Sequence, residues 1–332
     1  MTNNMELIML IGIPGSGKST VAERYAEEGY RVHSSDAIRA LLYGNEVIQG
    51  KASEVFQNLM QNVLKDLRNG HSCVIDATNL SRKRRIAMMN SLSKLAERKT
   101  CVMLLTPPDD CQERNSRRHR NVPPDQIRDM LCSFETPYYY EGWDSIDAIT
   151  GGTPYLFPRE AAVDFQQDNP YHSMTLGVHM EAAREYCAFK GFSEEVQEAA
   201  WYHDIGKLYT RRYTNRKGET TEYAHYYGHE NYGAYLYLCE KAAASVQNGT
   251  WERTLYIANL INWHMRPLRQ HQRTLEKVRN LVGDHMYGEL MQLHLADVTA
   301  HRATEKEKNN ERSLSAVQVS FLTSRLGDFT ME

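Results

Sequence analysis

Apolar residues follow two different periods along the chain. Between Glu6 and about Thr150, short apolar runs in ELIMLIGI, YRVHSS, SCVIDAT and KTCVMLLT alternate with longer stretches of helical period. That alternation predicts parallel strands with helices packed on the sheet. GGTPYLFP, which begins at Gly151, is rich in glycine and proline and reads as a boundary. Beyond it the strand signal stops. EEVQEAAWYHDIGKLY, HENYGAYLYLCEKAAASV, TLYIANLINWHM and GELMQLHLADVTAHRA place apolar residues three and four apart. The expected architecture is an α/β domain over residues 1–152, a parallel sheet flanked by helices, followed by an all-α domain over 153–332.

Composition narrows this picture. A chain of 332 residues is long enough for two domains with cores of their own. With 41% hydrophobic and 24% charged residues it falls among globular proteins. A net charge of −3 excludes a generally basic chain, so any nucleic-acid contact has to come from local patches. The six cysteines are scattered with no C-x-x-C pair, which predicts reduced thiols and a cytoplasmic setting. The polar start and the early glycine after ELIML predict neither a signal peptide nor a membrane partner. Ten of the thirteen histidines lie from His172 onward, so the two halves are expected to run different chemistry.

GIPGSGKS, Gly12 to Ser19, satisfies G-x-x-x-x-G-K-[ST] between a strand and a helix. Backbone N–H groups around Gly12, Gly15, Ser16 and Gly17 can curl around phosphate oxygens, with Thr20 in the first helical turn. Lys18 reaches the β- and γ-phosphates of ATP or another nucleoside triphosphate, and Ser19 ligates Mg²⁺. In HSSDAIRALLYG, Asp36 is placed at the end of a short strand, where a carboxylate can take the proton of an attacking hydroxyl. Arg39, one turn later, can clamp a neighbouring phosphate. Read alone, the two are equally a helix cap and a solvated arginine. Asp76 closes the VIDAT strand and suits the hydration shell of the metal. Arg114 and Arg118, four apart on a helical stretch, can close over the triphosphate.

These segments resemble the 5′-hydroxyl polynucleotide kinase family. The P-loop, Ser34 to Arg39, DATNL, RNSRR and FETPYYYEGWD come in that family's order. The resemblance implies that Lys18 and Ser19 bind ATP and Mg²⁺, that Asp36 is the general base and that Arg39 contacts the phosphate next to the 5′-OH. Arg114 and Arg118 match the lid arginines, with Arg117 and Arg120 as close substitutes.

In the second half, WYHDIGKLY sets His203 and Asp204 side by side in what reads as a helix. His179, His229 at a helix start, His264 and Asp297 likewise interrupt apolar stripes. Burying each of them unpaired is costly, and one shared metal site satisfies them together. The set resembles the HD phosphohydrolase superfamily, which implies His179, His203, Asp204 and Asp297 as ligands of a first metal. His229 and His264 match the histidines that two-metal members add. Such nitrogen and oxygen ligands suit Mn, Fe, Co, Ni or Zn as one or two divalent ions. Asp204 would then bridge both ions. His225 and His294 stand one turn before His229 and Asp297 as alternative ligands, and His172 is either substrate-facing or structural. Lys207, a turn beyond Asp204, either neutralises a phosphate oxygen or is solvated. NPYH, HDIGK, GHE and ADV resemble the HD domain attached to tRNA nucleotidyltransferases, which acts on 2′,3′-cyclic phosphates and 2′-phosphates.

Basic clusters at Arg82–Arg85, Arg117–Arg120 and Arg211–Lys217 are solvated faces or phosphate contacts, the third with Tyr209 and Tyr213 for base stacking. Taken together, the resemblances imply an RNA end-healing enzyme: a kinase of 5′-OH ends, tRNA and DNA ends included as candidates, joined to a phosphoesterase of 2′,3′-cyclic, 2′- or 3′-phosphate ends, working with an RNA ligase. Bacterial HD-domain polynucleotide kinases pair these halves in the opposite order, and phage enzymes with the kinase first carry an unrelated phosphatase. The rival readings are a small-molecule kinase fused to a nucleotide phosphohydrolase, and a non-catalytic nucleic-acid-binding regulator.

Overall fold

The computed structural model describes residues 5–44, 52–118, 121–170, 174–267 and 272–302. They divide into two compact units, one reaching Tyr155 and including Leu238–Trp251, the other covering Leu156–Tyr237 and the residues from Glu252 onward.

The first unit is built on five parallel strands: β1 Glu6–Ile11, β2 Arg31–Ser34, β3 Cys73–Asp76, β4 Arg98–Leu105 and β5 Ser145–Thr150. Their order is β2-β3-β1-β4-β5. Helices on both faces explain why β1, β3 and β4 are almost continuously apolar. On one face Val21 and Ala22 of helix Lys18–Glu27 pack on Ile8, Leu10, Val74, Val102 and Leu104. Helix Ala52–Arg68 buries Val55, Leu59, Val63 and Leu67, one position per turn. The edge strand β5 is absent from the apolar runs read above because Ile146 is its single buried residue.

Register decides where the chemistry sits. Leu10 and Ser34 both pair with Asp76, so the chain leaves β1, β2 and β3 side by side at their carboxyl ends, where open parallel sheets bind ligands. Asp36 is not the end of a strand. β2 stops at Ser34 and helix Ser35–Tyr43 starts at once, with the Ser34 hydroxyl accepting from the Asp36 N–H at 3.3 Å.

Helix Arg82–Leu92 corrects the phosphate-contact reading of the first basic cluster. Arg85 is fully buried. Its Nε and Nη2 donate to the two Glu141 carboxylate oxygens at 2.7 and 2.6 Å, and its other N–H groups reach the Asn79, Leu80 and Glu135 carbonyls at 3.0, 2.9 and 2.8 Å. Arg82, also buried, pairs with Glu135 at 3.3 Å. Both arginines therefore fasten the FETPYYYEGWD segment onto the DATNL loop. Lys83 and Arg84 alone keep the exposure the cluster reading assumed.

In the second unit, helix Leu176–Phe189 packs against helices Glu194–Tyr202 and Asp284–Arg302. Helices His229–Gln247 and Trp251–Trp263 follow an antiparallel hairpin, β6 Arg212–Thr214 and β7 Thr220–His225. The hairpin is a departure from the all-α expectation: a three-residue strand is too short to show a period. A second departure concerns WYHDIGKLY. The helix ends at Tyr202, and His203 to Gly206 form a turn before the short helix Lys207–Thr210. Gly206, in an ordinary right-handed conformation, matters for the packing of that turn. A Cβ there would lie 2.1 Å from the His229 carbonyl oxygen, so only glycine lets the turn lie against the next helix.

Candidate functional site

At the carboxyl end of β1 the loop Gly12–Gly17 closes on itself, with the Ser16 N–H donating to the Ile13 carbonyl at 3.2 Å and Gly12 N–H to Thr78 at 3.2 Å. Gly15 and Gly17 take φ of 84° and 95°, and a Cβ on Gly15 would meet the Cys111 carbonyl oxygen at 2.2 Å. Helix Lys18–Glu27 starts directly behind the loop and aims its N-terminus at the cavity. The Lys18 ammonium donates to the Ile13 carbonyl at 2.9 Å. Burial pulls its pKa down to about 8, against the attraction of Asp76. Burial raises Asp76 in turn, and Lys18 opposes that rise.

A cavity of about 730 Å³ opens here, lined by Lys18, Ser19 and Thr20, by Asp76, and by Asp36 with Arg39. Arg39 Nη1 donates to Asp36 Oδ1 at 2.5 Å, so the expected acceptor-side pair and the phosphate loop share one space. Phe56 and Met88 add apolar wall. Arg114 and Arg118 line the same cavity, whereas Arg117 turns away to pair with Glu113. The helix carrying Arg114 ends at Ser116, so Arg118 comes from the loop after it. Asn115 holds that loop through Val122, accepting its N–H at 3.1 Å and donating to its carbonyl at 2.8 Å. Arg120 lies outside the described residues.

In the second unit, six predicted residues from separate elements converge. His179 comes from helix Leu176–Phe189, His203 and Asp204 from the turn after Tyr202, and His229 from the start of its helix. His264 follows the end of helix Trp251–Trp263, and Asp297 lies on helix Asp284–Arg302. All six are buried. Two donor groups result: His179, His203, Asp204 and Asp297, then Asp204, His229 and His264.

Asp204 belongs to both. Its Oδ2 lies 3.4 Å from His179 Nε2 and 3.3 Å from His203 Nε2, while Oδ1 lies 3.0 Å from His229 Nε2 and 3.7 Å from His264 Nε2. Asp297 Oδ1 completes the first group at 3.1 Å from His179 and 3.5 Å from His203. Burial disfavours the Asp204 anion, but Lys207 and His203 overcome this and hold it well below the usual carboxylate range.

The fit to cations rests on the imidazoles. His203, His229 and His264 each place Nδ1 at 2.7 Å from a backbone carbonyl three residues earlier. A carbonyl only accepts, so Nδ1 carries the proton and Nε2 of the neutral ring turns a lone pair inward. The Nε2 atoms face one another, 3.1 Å apart for His179 and His203 and 3.3 Å apart for His229 and His264. Burial, then His203 and His229, press His264 down to about 3, so it is neutral. Burial opposes a charge on His203 as well, yet Asp204 and Asp297 lift it to about 10; that negative field attracts a cation as readily as a proton. Ligands of nitrogen and oxygen without sulfur suit Mn, Fe, Co, Ni or Zn.

Lys207 is buried rather than solvated. Its ammonium lies 2.6 Å from Asp204 Oδ2 and donates to Gln167 Oε1 at 2.9 Å. Gln167, fully enclosed, also accepts the Tyr226 hydroxyl on its backbone carbonyl at 2.5 Å. Neither Gln167 nor Tyr226 carried a sequence signal, because amides and phenols have no diagnostic spacing. His225 and His294, the alternative ligands, enter neither donor group among the described residues. His172 lies outside those residues. In the third basic cluster Tyr209 stacks face to face on Tyr232 at 5.2 Å, and Arg211 lies over the Phe165 ring at 3.9 Å and pairs with Asp168 at 3.2 Å. The Tyr213 hydroxyl donates to Asp168 as well. Part of that cluster thus serves internal packing.

In comparison with known proteins, residues 7–137 match the AAA domain family and residues 171–316 match the HD domain family. The chain is a P-loop domain followed by an HD domain. The L-seryl-tRNA(Sec) kinase of Methanococcus maripaludis is 25% identical over 156 residues, which cover 44% of this chain and 59% of that relative. The match therefore spans about three fifths of the relative's length. Among solved structures, a chain of the Pnkp1/Rnl/Hen1 RNA repair complex is similar at 21% identity and a TM-score of 0.36, over 40% of this chain and 46% of that one. A gluconokinase from Sinorhizobium meliloti 1021 is similar at 22% identity and a TM-score of 0.34, over 46% and 85%. The P-loop domain thus holds the nucleotide-type cavity, and the HD domain holds the His/Asp centre. Among the described residues no helix is long and apolar enough to cross a membrane.

Proposed function

We propose that the chain heals broken RNA ends, with the P-loop domain phosphorylating a 5′-OH from ATP and the HD domain hydrolysing a 2′,3′-cyclic phosphate and the monoester that follows. The observation that supports the reading is that one chain carries both a cavity joining a phosphate loop to a carboxylate–arginine pair and a buried His/Asp cluster able to hold metal ions. In the P-loop domain, backbone N–H groups and Lys18 hold the triphosphate and Ser19 its Mg²⁺. Asp36 accepts the proton of the attacking hydroxyl, Arg39 receives the phosphate beside it, and Arg114 and Arg118 neutralise charge on the transferred group.

In the HD domain the six histidine and aspartate side chains hold one or two divalent ions. Such ions supply the charge that activates water and stabilises the phosphoryl oxygens. Asp204 spans both donor groups, and Lys207 with Gln167 fixes its orientation. The products, a 5′-phosphate and a free 3′ terminus, are the ends an RNA ligase joins. The tRNA-linked substrate in the name of the Methanococcus relative supports a second reading for the P-loop domain, a kinase of a hydroxyl on a group carried by tRNA.

The test is an RNA strand with a 5′-OH and a 2′,3′-cyclic phosphate, incubated with ATP and Mg²⁺, then with Mn²⁺, Ni²⁺ or Co²⁺. Lys18→Ala should abolish the first change and Asp204→Ala the second, each leaving the other intact. Neither end changing under any metal would overturn the proposal. Phosphorylation of an aminoacyl-tRNA but not of the 5′-OH strand selects the second reading.

A further inference from the structure

One aromatic and basic row in the HD domain is left unused by the hydrolytic centre. Tyr223 and His225 stand two residues apart on one face of β7, and Tyr227 follows in the turn beyond it. Tyr223 and His225 have ring centroids 5.7 Å apart, and His225 stacks on Tyr227 at 5.2 Å with 10° between planes. The Arg216 guanidinium lies over the Tyr227 ring at 4.9 Å. Arg212 pairs in register with His225 across the hairpin.

The intervening residues face inward and anchor the row. Ala224 is buried, and its N–H donates to the Asp168 carbonyl at 2.8 Å. The buried Tyr226 bonds to Gln167. The outward rings thus form a row in which His225 and Tyr227 stack and Tyr223 is tilted 59° to His225, open at both ends: Tyr223 is 40% exposed and Arg216 is exposed. His225 Nε2 is enclosed and has no hydrogen-bond partner.

A row of aromatic rings with a half-exposed tyrosine at one end and a guanidinium at the other suits unpaired nucleobases, every one of which offers a π face, with arginines to meet the backbone phosphates. Bases within a duplex already stack on each other and present no such face. Of the acidic residues nearby, Glu219 accepts from the Asn215 side chain at 2.6 Å and Glu222 alternates to the opposite face of β7. His225 and His229 are four residues apart, hence separated by at most about 14 Å, within reach of a few nucleotides.

We infer that this row binds the unpaired nucleotides just inside the 3′ end of an RNA whose terminal phosphate enters the His/Asp centre. A base stacks on Tyr223, and Arg216 and Arg212 hold backbone phosphates. The inference rests on the proposed hydrolytic function for the identity of the end, and adds single-strandedness as its requirement.

Two readouts separate the claims. A single-stranded RNA hexamer with 4-thiouridine at the penultimate position and a 3′-phosphate should photo-crosslink to the peptide around Tyr223 in the full-length protein, whether or not hydrolysis occurs. Crosslinking elsewhere only, or equal crosslinking of a blunt duplex, overturns the inference. With a 2′,3′-cyclic hexamer, Tyr223→Ala and Arg216→Ala should each raise KM about fivefold to a hundredfold with kcat retained. Hydrolysis of a 2′,3′-cyclic mononucleotide should not change. Tyr223→Phe should restore the hexamer KM, and Glu222→Ala, on the other face, should have no effect. Unchanged hexamer kinetics in both alanine variants overturns the platform while leaving the hydrolytic function standing. Failure of the parent protein on both cyclic substrates overturns that function instead, and the crosslink then decides the platform alone.

Discussion

Asp204 has its two oxygens turned to two different sets of imidazoles, which makes it unequal to every other residue of the centre. Asp204→Asn is expected to abolish binding of both ions, whereas His264→Ala should remove only the ion of the second group. Metal content after equilibrium dialysis measures the difference, two ions lost against one. The same substitution leaves the Lys207 ammonium buried without its carboxylate, at a cost of about 3–5 kcal/mol. Lys18 sets a pH limit at the other site. Its pKa is depressed from 10.5 to about 8, so the protein without nucleotide loses that positive charge as pH rises through about 8. A bound triphosphate favours the ammonium, so nucleotide binding should take up a proton above about pH 8 and weaken as pH rises further. Calorimetry in buffers of different ionisation enthalpy reads that proton, and Lys18→Met should lack it.

Among the elements, the least legible in the sequence were those held by side-chain burial rather than by period. β1, β3 and β4 show as apolar runs because both faces are covered, while β2 has no fully buried residue, β5 buries one and β6 is three residues long. Asp36 was misplaced onto a strand because an extended Ser34 and the first helical residues read alike until the Ser34 cap is seen. The break after Tyr202 was hidden because Gly206 is required by contact with His229, far along the chain, and not by its own neighbours. The Arg82–Arg85 cluster misled for a related reason: charge along the chain does not reveal burial. Arg85→Met should leave the buried Glu141 carboxylate without its two short Arg85 hydrogen bonds, with Arg82 Nε at 3.8 Å and the Trp143 indole at 3.1 Å still beside it, costing up to about 3–5 kcal/mol in chemical denaturation. Adding Glu141→Gln should recover much of that loss, since the stranded charge is gone.

For the whole molecule, the P-loop cavity and the His/Asp cluster, if each takes its proposed ligand, predict separately tunable stability. Anything that binds only the native form stabilises it, by about 2.7 kcal/mol at a hundredfold excess over Kd. In calorimetry, ATP with Mg²⁺ should raise the transition of the first unit alone. A chelator strong enough to strip the HD centre should lower that of the second alone. Movement of both transitions with either ligand would contradict independent sites.

By itself the sequence determined the phosphate loop, the class of sheet and the identity of the six ligand-type residues. Loop and strand geometry follow from short-range sterics and local period, and histidine or aspartate in an apolar stripe is costly wherever it is buried. Only the tertiary structure decided that Lys207 braces Asp204, that His225 and His294 stand outside the donor groups, and that Arg117 turns away from the cavity where Arg114 and Arg118 remain. Those outcomes depend on side chains meeting from elements as far apart as His179 and Asp297. Packing between distant segments sets such distances, and no local spacing encodes them.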